Sequence, residues 1–258
     1  MSSITTEIIN NVGVITLNRP NAYNSFDREM ALSLQSALDT YEQSSAVKSI
    51  YLTGNGKAFS AGQDIKYLLD PDSVALERIV AEHYNPIVQK IYDMSTIVVC
   101  GVNGVAAGAG ANIALICDIT VAAESASFIQ AFSKIGLIPD SGGTYTMPRL
   151  VGFQKALALA LLGDKVSAHE AERMGMLYKV FPDEEFYASG LAIATKLAQM
   201  PTIALSETKR LFNASLNNTF KEQLALEGKS QTHCGATEDY AEGIKAFVEK
   251  RKPQYQGK

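Results

Sequence analysis

The 258-residue sequence contains only three cysteines, and no two of them form a CxxC pair. Three widely separated cysteines, Cys100, Cys117 and Cys234, are more typical of a protein in a reducing compartment than of a disulfide framework. Basic residues are not in surplus either: Lys and Arg number 23 against 27 Asp and Glu, for a formal net charge of −4 at pH 7. This charge argues against nucleic acid as a partner, because phosphates require neutralisation.

Long hydrophobic segments are also missing. No run of about 18 apolar residues occurs, so the sequence predicts neither a transmembrane helix nor a membrane partner. The first seven residues contain neither a basic segment nor an apolar stretch of the kind that directs secretion. We therefore expect a cytoplasmic protein. We predict no metal site, because His83, His169 and His233 are far apart in otherwise polar stretches, where we expect all three to be solvated.

The pattern of apolar residues predicts an α/β fold. Short β-branched or apolar runs occur at 12–18, 50–53, 97–100 and 119–122. Between the first two of them, the apolar residues from Asp27 to Tyr41 recur at spacings of three and four, which predicts a helix with one buried face. Alternation of buried strands with helices is the signature of an α/β domain.

The character of the sequence changes after about residue 180, where strand patterns end. Helical periodicity then continues over residues 186–200, 202–217, 220–234 and 238–251. We therefore divide the chain into a core over residues 1–185 and a helical C-terminal region over residues 186–258.

The last helix of that region has an apolar face formed by Tyr240, Ile244, Phe247 and Val248. Such a face is buried either against another copy of the chain or against the chain's own core. We favour the first alternative and expect an oligomer.

A small-residue segment from Gly101 to Asn112 follows one predicted strand and precedes a helical run. Backbone N–H groups at such a helix start can bind a phosphate or a developing oxyanion, although close packing of the helix on glycine would need the same residues. The segment departs from the dinucleotide fingerprint, because Ile113 stands where the third glycine belongs, and Gly-Lys-Ser/Thr is absent. NAD and ATP are therefore disfavoured.

A second turn of small residues, 59–65, also follows a predicted strand and opens onto a helical stretch. One such turn has little meaning alone. Two of them in one core could direct their N–H groups at a single carbonyl oxygen, as an oxyanion hole requires.

Asp140 lies between an apolar run and a glycine turn. Taken alone, such a residue is most often a solvated loop carboxylate or a helix cap. A carboxylate held against apolar side chains can also transfer protons.

Four segments, taken in order, resemble the crotonase (enoyl-CoA hydratase/isomerase) superfamily over nearly the whole chain. They are Leu17-Asn18-Arg19-Pro20, Phe59-Ser60-Ala61-Gly62-Gln63-Asp64, the run from Gly101 to Gly110, and Ala246-Phe247-Val248-Glu249-Lys250-Arg251. The resemblance implies a spiral of ββα units with a helical C-terminal trimerisation region, assembled as a homotrimer or a hexamer. It also implies an acyl-CoA thioester as substrate, with no cofactor apart from the CoA that the substrate carries.

The resemblance assigns roles to residues by their position in the motifs. The backbone N–H groups of Gln63 and Ala109 would hold the thioester oxygen. Ala61, Gln63 and Ile65 would line the adenine site, Arg19 and Ala22 would lie near the CoA phosphates, and Phe247 and Lys250 would complete the CoA site, from a neighbouring subunit.

The two glutamates that activate water in family hydratases align here with Asn112 and Phe132, which are not acids. Asp140 lies eight residues beyond the second of these positions, where several family isomerases have their catalytic aspartate. The run 131–144, with residues 83–86 and the tail 253–258, is similar to the isomerases of phenylacetate degradation.

The resemblance therefore implies an isomerase that transfers a proton through Asp140. The alternatives are a general enoyl-CoA isomerase or hydratase of fatty acid oxidation, or a non-catalytic homologue that binds CoA or RNA. Tyr84, Met94, Phe132 and Tyr145 are candidate walls of the acyl pocket, although such residues are more often ordinary core.

Overall fold

The computed structural model describes residues 2–69 and 73–258. The strands are β1 Ile4–Ile9, β2 Val12–Leu17, β3 Ser49–Gly54, β4 Ala58–Ser60, β5 Ile97–Val102, β6 Val105–Ala107, β7 Ile119–Ala123, β8 Ser127–Ile129, β9 Lys165–Ser167 and β10 Lys179–Phe181. The helices are α1 Arg28–Glu42, α2 Ile65–Leu68, α3 Leu76–Arg78, α4 Asn85–Asp93, α5 Ala109–Ile116, α6 Gly143–Val151, α7 Phe153–Leu162, α8 Ala168–Arg173, α9 Asp183–Ala198, α10 Thr202–Ser215, α11 Phe220–Gly235 and α12 Glu238–Glu249. Two 3₁₀ turns, Pro20–Ala22 and Ala131–Ile135, and a π-helical segment, Ile79–Tyr84, complete the elements.

The strands form two sheets that the chain visits alternately. The six-stranded sheet has the order β1-β2-β3-β5-β7-β10, and the four-stranded sheet has the order β4-β6-β8-β9. Each pass places one strand in each sheet, as in β3 then β4, β5 then β6, and β7 then β8. Pairing is parallel except between β1 and β2 and between β8 and β9. The predicted α/β spiral of ββα units is confirmed.

The central strands of the six-stranded sheet, β2, β3, β5 and β7, are buried on both faces, which explains their apolar sequence runs. Successive residues of β3 pack on opposite sides: Ile50 belongs to the main core, whereas Tyr51 belongs to a smaller cluster with Val14 and Val99. Every residue of β5 is buried. Parallel strands covered on both faces read as continuous apolar segments rather than as alternating ones.

Helix α9 covers the second face of this sheet. Its buried residues, Phe186, Gly190, Ala194 and Ala198, are spaced by four and form one stripe. A methyl group placed at Gly190 would lie 2.5 Å from the Tyr51 hydroxyl, so the helix approaches the sheet too closely for any larger residue. The first helix of the predicted C-terminal region therefore packs directly on the six-stranded sheet.

Helices α10 to α12 are much less buried within one chain. Polar contacts anchor α10: Lys209 Nζ forms an ion pair with Asp118 at 3.0 Å and donates to the Ile91 carbonyl at 2.7 Å. On α12, Phe247 is 84% exposed and Val248 is 73% exposed. Within the described residues, no helix has the length and apolar character needed to cross a bilayer.

Candidate active site

Two glycine turns lie side by side at one edge of the four-stranded sheet. One follows β4 and contains Gly62 at φ +83°, and the other follows β6 and contains Gly108 at φ +53°. Because β4 and β6 are parallel neighbours, their carboxyl ends meet at the same edge. A methyl group placed at Gly62 would lie 3.4 Å from the Ala109 nitrogen and 2.8 Å from the Ala107 carbonyl oxygen. Glycine at position 62 therefore permits both the turn and the close approach.

The backbone N–H groups of Gln63 and Ala109 are free at this junction. In the described part of the chain, neither N–H has a hydrogen-bond acceptor, although the flanking N–H groups of Gly62, Asp64 and Gly108 are all bonded. Ala109 is the first residue of α5, where the N–H has no partner within the helix. Two free donors on adjoining turns can stabilise negative charge that develops on a carbonyl oxygen.

Asp140 lies on a strained tight turn. The Gly143 N–H donates to the Asp140 carbonyl at 2.8 Å, and the two central residues, Ser141 and Gly142, have φ of +51° and +76°. Positive φ at both central positions is characteristic of a type I′ turn, and it is uncommon for serine. The Ser141 hydroxyl donates to Asp140 Oδ1 at 2.9 Å.

The carboxyl group of Asp140 is partly buried, and its ionisation is perturbed. Burial raises the pKa of Asp140, and the hydrogen bond from Ser141 lowers it by a smaller amount, so that the pKa remains above the ordinary aspartate value. A carboxylate with a raised pKa is a stronger base than a solvated one. The simple solvated-loop interpretation of Asp140 does not describe this environment.

Helix α5 connects the two parts of the site. Asn112 lies one turn beyond Ala109, and its Nδ2 donates to the Asp140 carbonyl at 2.9 Å. Gln130 Nε2 in turn donates to Asn112 Oδ1 at 2.8 Å. Sequence reasoning did not single out the contacts of Gln130 and Ser141. Ser141 could have been noted as the direct neighbour of Asp140, whereas no local pattern indicates that Gln130 meets Asn112 across 18 positions.

Two of the four candidate wall residues contact the site. Phe132 is buried, and its ring lies 3.7 Å from a methyl group placed at Gly108. Tyr84 is buried, and its hydroxyl donates to Gln63 Oε1 at 2.8 Å. Burial raises the pKa of Tyr84 well above its ordinary value, with a further contribution from the negative charge of Asp140.

The other two candidate wall residues make different contacts. Tyr145 packs edge-on against Tyr92, and the Arg149 guanidinium lies 3.5 Å from the centre of its ring. Met94 is buried at the end of α4.

The residues expected to bind CoA fall into two groups, and one of them adjoins the Gly62 turn. The Ala61 N–H donates to the Tyr23 carbonyl at 2.9 Å, which joins the segment containing Arg19 and Ala22 to the segment containing Ala61 and Ile65. Ala61 and Ile65 are exposed.

Arg19 is already engaged by two carboxylates. Its guanidinium forms ion pairs with Asp27 at 3.1 Å and with Asp64 at 2.9 Å. These carboxylates cap the N-termini of α1 and α2, where they accept from the Met30 and Lys66 N–H groups. Much of the charge of Arg19 is thus used to position the segment rather than left free for a ligand.

Phe247 and Lys250 form the second group, at the end of α12. Lys250 closes the helix in a left-handed conformation with φ of +54°. Among residues 2–69 and 73–258, no hydrogen bond or ion pair connects either residue to the Arg19 or Ala61 segments. No such bond links the two groups within one chain, and a contribution from a neighbouring subunit stays a prediction.

The histidine prediction was wrong for one residue. His83 is only 1% exposed, and its Nε2 has no hydrogen-bond partner among the described residues. It lies four residues from Ile79 and from Ile87, which are both fully buried, and this spacing could have indicated its burial. Burial lowers the pKa of His83, so the imidazole is neutral near pH 7. His169 and His233 are exposed, as predicted.

Comparison with known proteins identifies the family. The family model described as enoyl-CoA hydratase/isomerase matches residues 7–258. The chain is 43% identical to the 1,2-epoxyphenylacetyl-CoA isomerase of Escherichia coli over 261 residues, covering 100% of both proteins. It is 42% identical over 252 residues to a Rhodobacter capsulatus protein named a probable enoyl-CoA hydratase, covering 98% of this chain and 97% of that protein.

Solved structures show the same fold. The crystal structure of an enoyl-CoA hydratase from Bacillus anthracis matches with a TM-score of 0.92 and 30% identity, covering 99% of this chain and 100% of that one. An enoyl-CoA hydratase from Polaromonas sp. JS666 matches with a TM-score of 0.91 and 30% identity, over 98% of this chain and 99% of the other. The chain is therefore an enzyme that belongs to the enoyl-CoA hydratase/isomerase family.

Proposed function

We propose that this enzyme is an acyl-CoA isomerase that moves one proton between two carbons of its substrate. The observation that supports this assignment is a partly buried carboxylate, Asp140, that forms no ion pair with the described residues, unlike Asp27 and Asp64, which pair with Arg19. Asp140 is tied through Asn112 to the helix that presents the free Ala109 N–H. The two positions that carry glutamates in family hydratases hold Asn112 and Phe132. A site with one such acid can transfer a proton, whereas hydration also requires a group that activates water.

The proposed reaction uses the two free N–H groups and the carboxylate together. The N–H groups of Gln63 and Ala109 bind the thioester oxygen of the substrate. Ionised Asp140 removes a proton from a carbon conjugated with the thioester, and the electron pair of the broken C–H bond delocalises onto the oxygen, where both N–H groups stabilise it. Protonated Asp140 then returns the proton to a different carbon. Atoms and charge are conserved, and the carboxylate is regenerated. For a ring epoxide, the carbon–carbon bond shared by the epoxide and the six-membered ring also breaks, its electron pair becomes part of the double bonds of the seven-membered ring, and no oxidant or reductant is needed.

The most specific assignment is the isomerisation of ring-1,2-epoxyphenylacetyl-CoA to oxepin-CoA in phenylacetate degradation, with Δ3,Δ2-enoyl-CoA isomerase activity as well. The 43% identity to the Escherichia coli enzyme of that name, over both full lengths, supports this assignment. Burial of Phe132 and Tyr84 beside the free N–H groups is compatible with an aromatic acyl group.

Binding of the CoA portion is assigned to the exposed surface beside the Gly62 turn. Arg19, Ala22, Ala61, Gln63 and Ile65 contribute from one chain, and Phe247 and Lys250 contribute from a neighbouring copy. The enzyme would then act as a homotrimer or hexamer. CoA enters as part of the substrate, and no separate cofactor takes part in the reaction.

A panel of three substrates tests the assignment. We expect the purified enzyme to isomerise 3-hexenoyl-CoA and the ring epoxide rapidly and to hydrate crotonyl-CoA slowly. Hydration of crotonyl-CoA as fast as isomerisation of 3-hexenoyl-CoA would contradict the one-carboxylate argument and favour a hydratase. Activity on 3-hexenoyl-CoA without activity on the ring epoxide would retain the reaction class but exclude the phenylacetate assignment.

Replacement of the proposed base gives the direct mechanistic test. Asp140→Asn keeps the shape of the side chain and removes the base, so kcat on both isomerisation substrates should fall by about 10²–10⁴-fold. KM should stay within about threefold, because the N–H groups that bind the thioester are unchanged. Exposed Asp164 offers a matched control, and Asp164→Asn should retain wild-type kcat. Wild-type kcat in Asp140→Asn would show that Asp140 is only a loop carboxylate.

A further inference from the structure

The turn that carries Asp140 is attached to α5 through its backbone. Asn112 is 1% exposed, and its Nδ2 donates to the Asp140 carbonyl at 2.9 Å. The same carbonyl accepts the Gly143 N–H that closes the turn. Asn112 therefore holds the peptide from which the Asp140 side chain projects, and no hydrogen bond joins it to the carboxyl group itself.

The orientation of the Asn112 amide is set by a second buried amide. Gln130 is 4% exposed, lies directly after β8, and donates through Nε2 to Asn112 Oδ1 at 2.8 Å. Because Gln130 presents an N–H donor, the side-chain oxygen of Asn112 must face Gln130. The Asn112 Nδ2 is then directed at the Asp140 carbonyl. Three elements thus meet through two hydrogen bonds: β8, α5 and the turn before α6.

The packing at this junction leaves little freedom for movement. A methyl group placed at Gly143 would lie 2.2 Å from Asn112 Nδ2, so the turn rests directly on the amide. Ser141 is held at φ +51°, a conformation that a serine adopts only when surrounding contacts impose it. The Asn112 hydrogen bond is one of those contacts.

We propose that Asn112, oriented by Gln130, is a positioning residue that fixes the Asp140 carboxylate relative to the Ala109 N–H. The proposal rests on the proposed function, in which Asp140 is the base. Ala109 and Asn112 are three residues apart on one helix, so the distance between the oxyanion donor and the turn is set by helix geometry. A position that carries a water-activating acid in family hydratases would here hold the backbone of the base.

The first test is Asn112→Leu, which keeps the branching of the side chain and removes the donor. We expect kcat for 3-hexenoyl-CoA to fall about ten- to a hundredfold, because small errors in the position of a reacting group are costly, while KM stays within about threefold. Thr120→Val is the matched control. The buried Thr120 hydroxyl donates to the Ala114 carbonyl of the same helix at 2.7 Å, away from the turn. This control should lower thermal stability but leave kcat unchanged.

Gln130→Leu provides a second, independent variant, because it leaves Asn112 in place and removes only the group that orients it. It should also lower kcat with little change in KM, and it decides the question if Asn112→Leu does not fold. Wild-type kcat in the folded variants, with Asp140→Asn inactive, would overturn the positioning role and leave the proposed function intact. An equal loss of kcat in Thr120→Val would also overturn it. An active Asp140→Asn would overturn both proposals.

Discussion

Two opposing influences act on the ionisation of Asp140. Partial burial penalises the charged form and raises the pKa of the carboxyl group, whereas the Ser141 hydroxyl stabilises the charged form and lowers it. Burial dominates. The proposed base is therefore less acidic than a solvated aspartate, whose pKa is about 3.9, while hydrogen bonding, chiefly from Ser141, limits the size of the change.

The pH dependence of catalysis should report this balance. Only the ionised carboxylate can accept a proton, so kcat/KM should fall as the pH decreases through the raised pKa of Asp140. Ser141→Ala removes a bond that favours ionisation, and the acidic limb of the profile should therefore move to higher pH. The measurement is the pH profile of kcat/KM for 3-hexenoyl-CoA with both proteins. An unmoved limb, or a limb at lower pH, would exclude Ser141 as a determinant of the ionisation.

At the scale of elements, the close approach of α5 to β4 brings the two oxyanion donors together. A methyl group placed at Gly110 would lie 2.6 Å from the Ser60 Cβ and 2.7 Å from its carbonyl oxygen. The backbone oxygen cannot move away without displacing the strand, so only glycine allows this contact. Ala109, which precedes Gly110, thereby reaches the turn that carries Gln63.

Gly110→Ala should therefore separate α5 from β4. We expect a loss of stability of about 1–3 kcal/mol, typical of overpacking, together with a lower kcat because the two N–H groups no longer converge. Gly228 is the matched control, since it lies in α11 with no heavy atom within 4 Å of the added methyl group. Gly228→Ala should stabilise the protein by about 0.5–1 kcal/mol. The measurements are thermal unfolding and steady-state kinetics. An equal or higher stability in Gly110→Ala would refute the argument.

At the scale of the whole molecule, one chain leaves a large apolar face of α12 uncovered. The face consists of Tyr240, Ile244, Phe247 and Val248, which are between 53% and 84% exposed. Soluble proteins seldom leave such a continuous patch in contact with water. Burial against a second copy, as in the proposed homotrimer or hexamer, would remove this exposed patch.

Lys250→Ala tests whether this lysine serves a neighbouring CoA site. A charge-assisted hydrogen bond to a phosphate is worth roughly 1.5–3 kcal/mol, so KM should rise about tenfold or more while kcat changes little. Light scattering should show the same oligomer for variant and wild type, because the apolar face of α12 is unchanged. Calorimetry with CoA gives the direct measure of binding. Unchanged affinity for CoA would remove Lys250 from the site.

Local sequence determined the architecture of this protein. Apolar runs such as 97–100 predict short buried strands, and the spacings of three and four in α1 and α12 predict their helices, because both patterns depend only on neighbouring residues. The positions of the two glycine turns and of Asp140 were also readable from the chain. Family resemblance supplied the roles of the individual site residues, and those roles remain predictions.

Tertiary structure alone decided which of these residues meet. The free N–H groups of Gln63 and Ala109 adjoin because β4 and β6 pair in parallel, and this pairing joins Ala58 to Val105 and Ser60 to Ala106, residues that are far apart in the sequence. The hydrogen bonds from Gln130 to Asn112 and from Asn112 to Asp140 cross 18 and 28 positions. Contacts between distant segments depend on the packing of whole elements, and no local pattern encodes them.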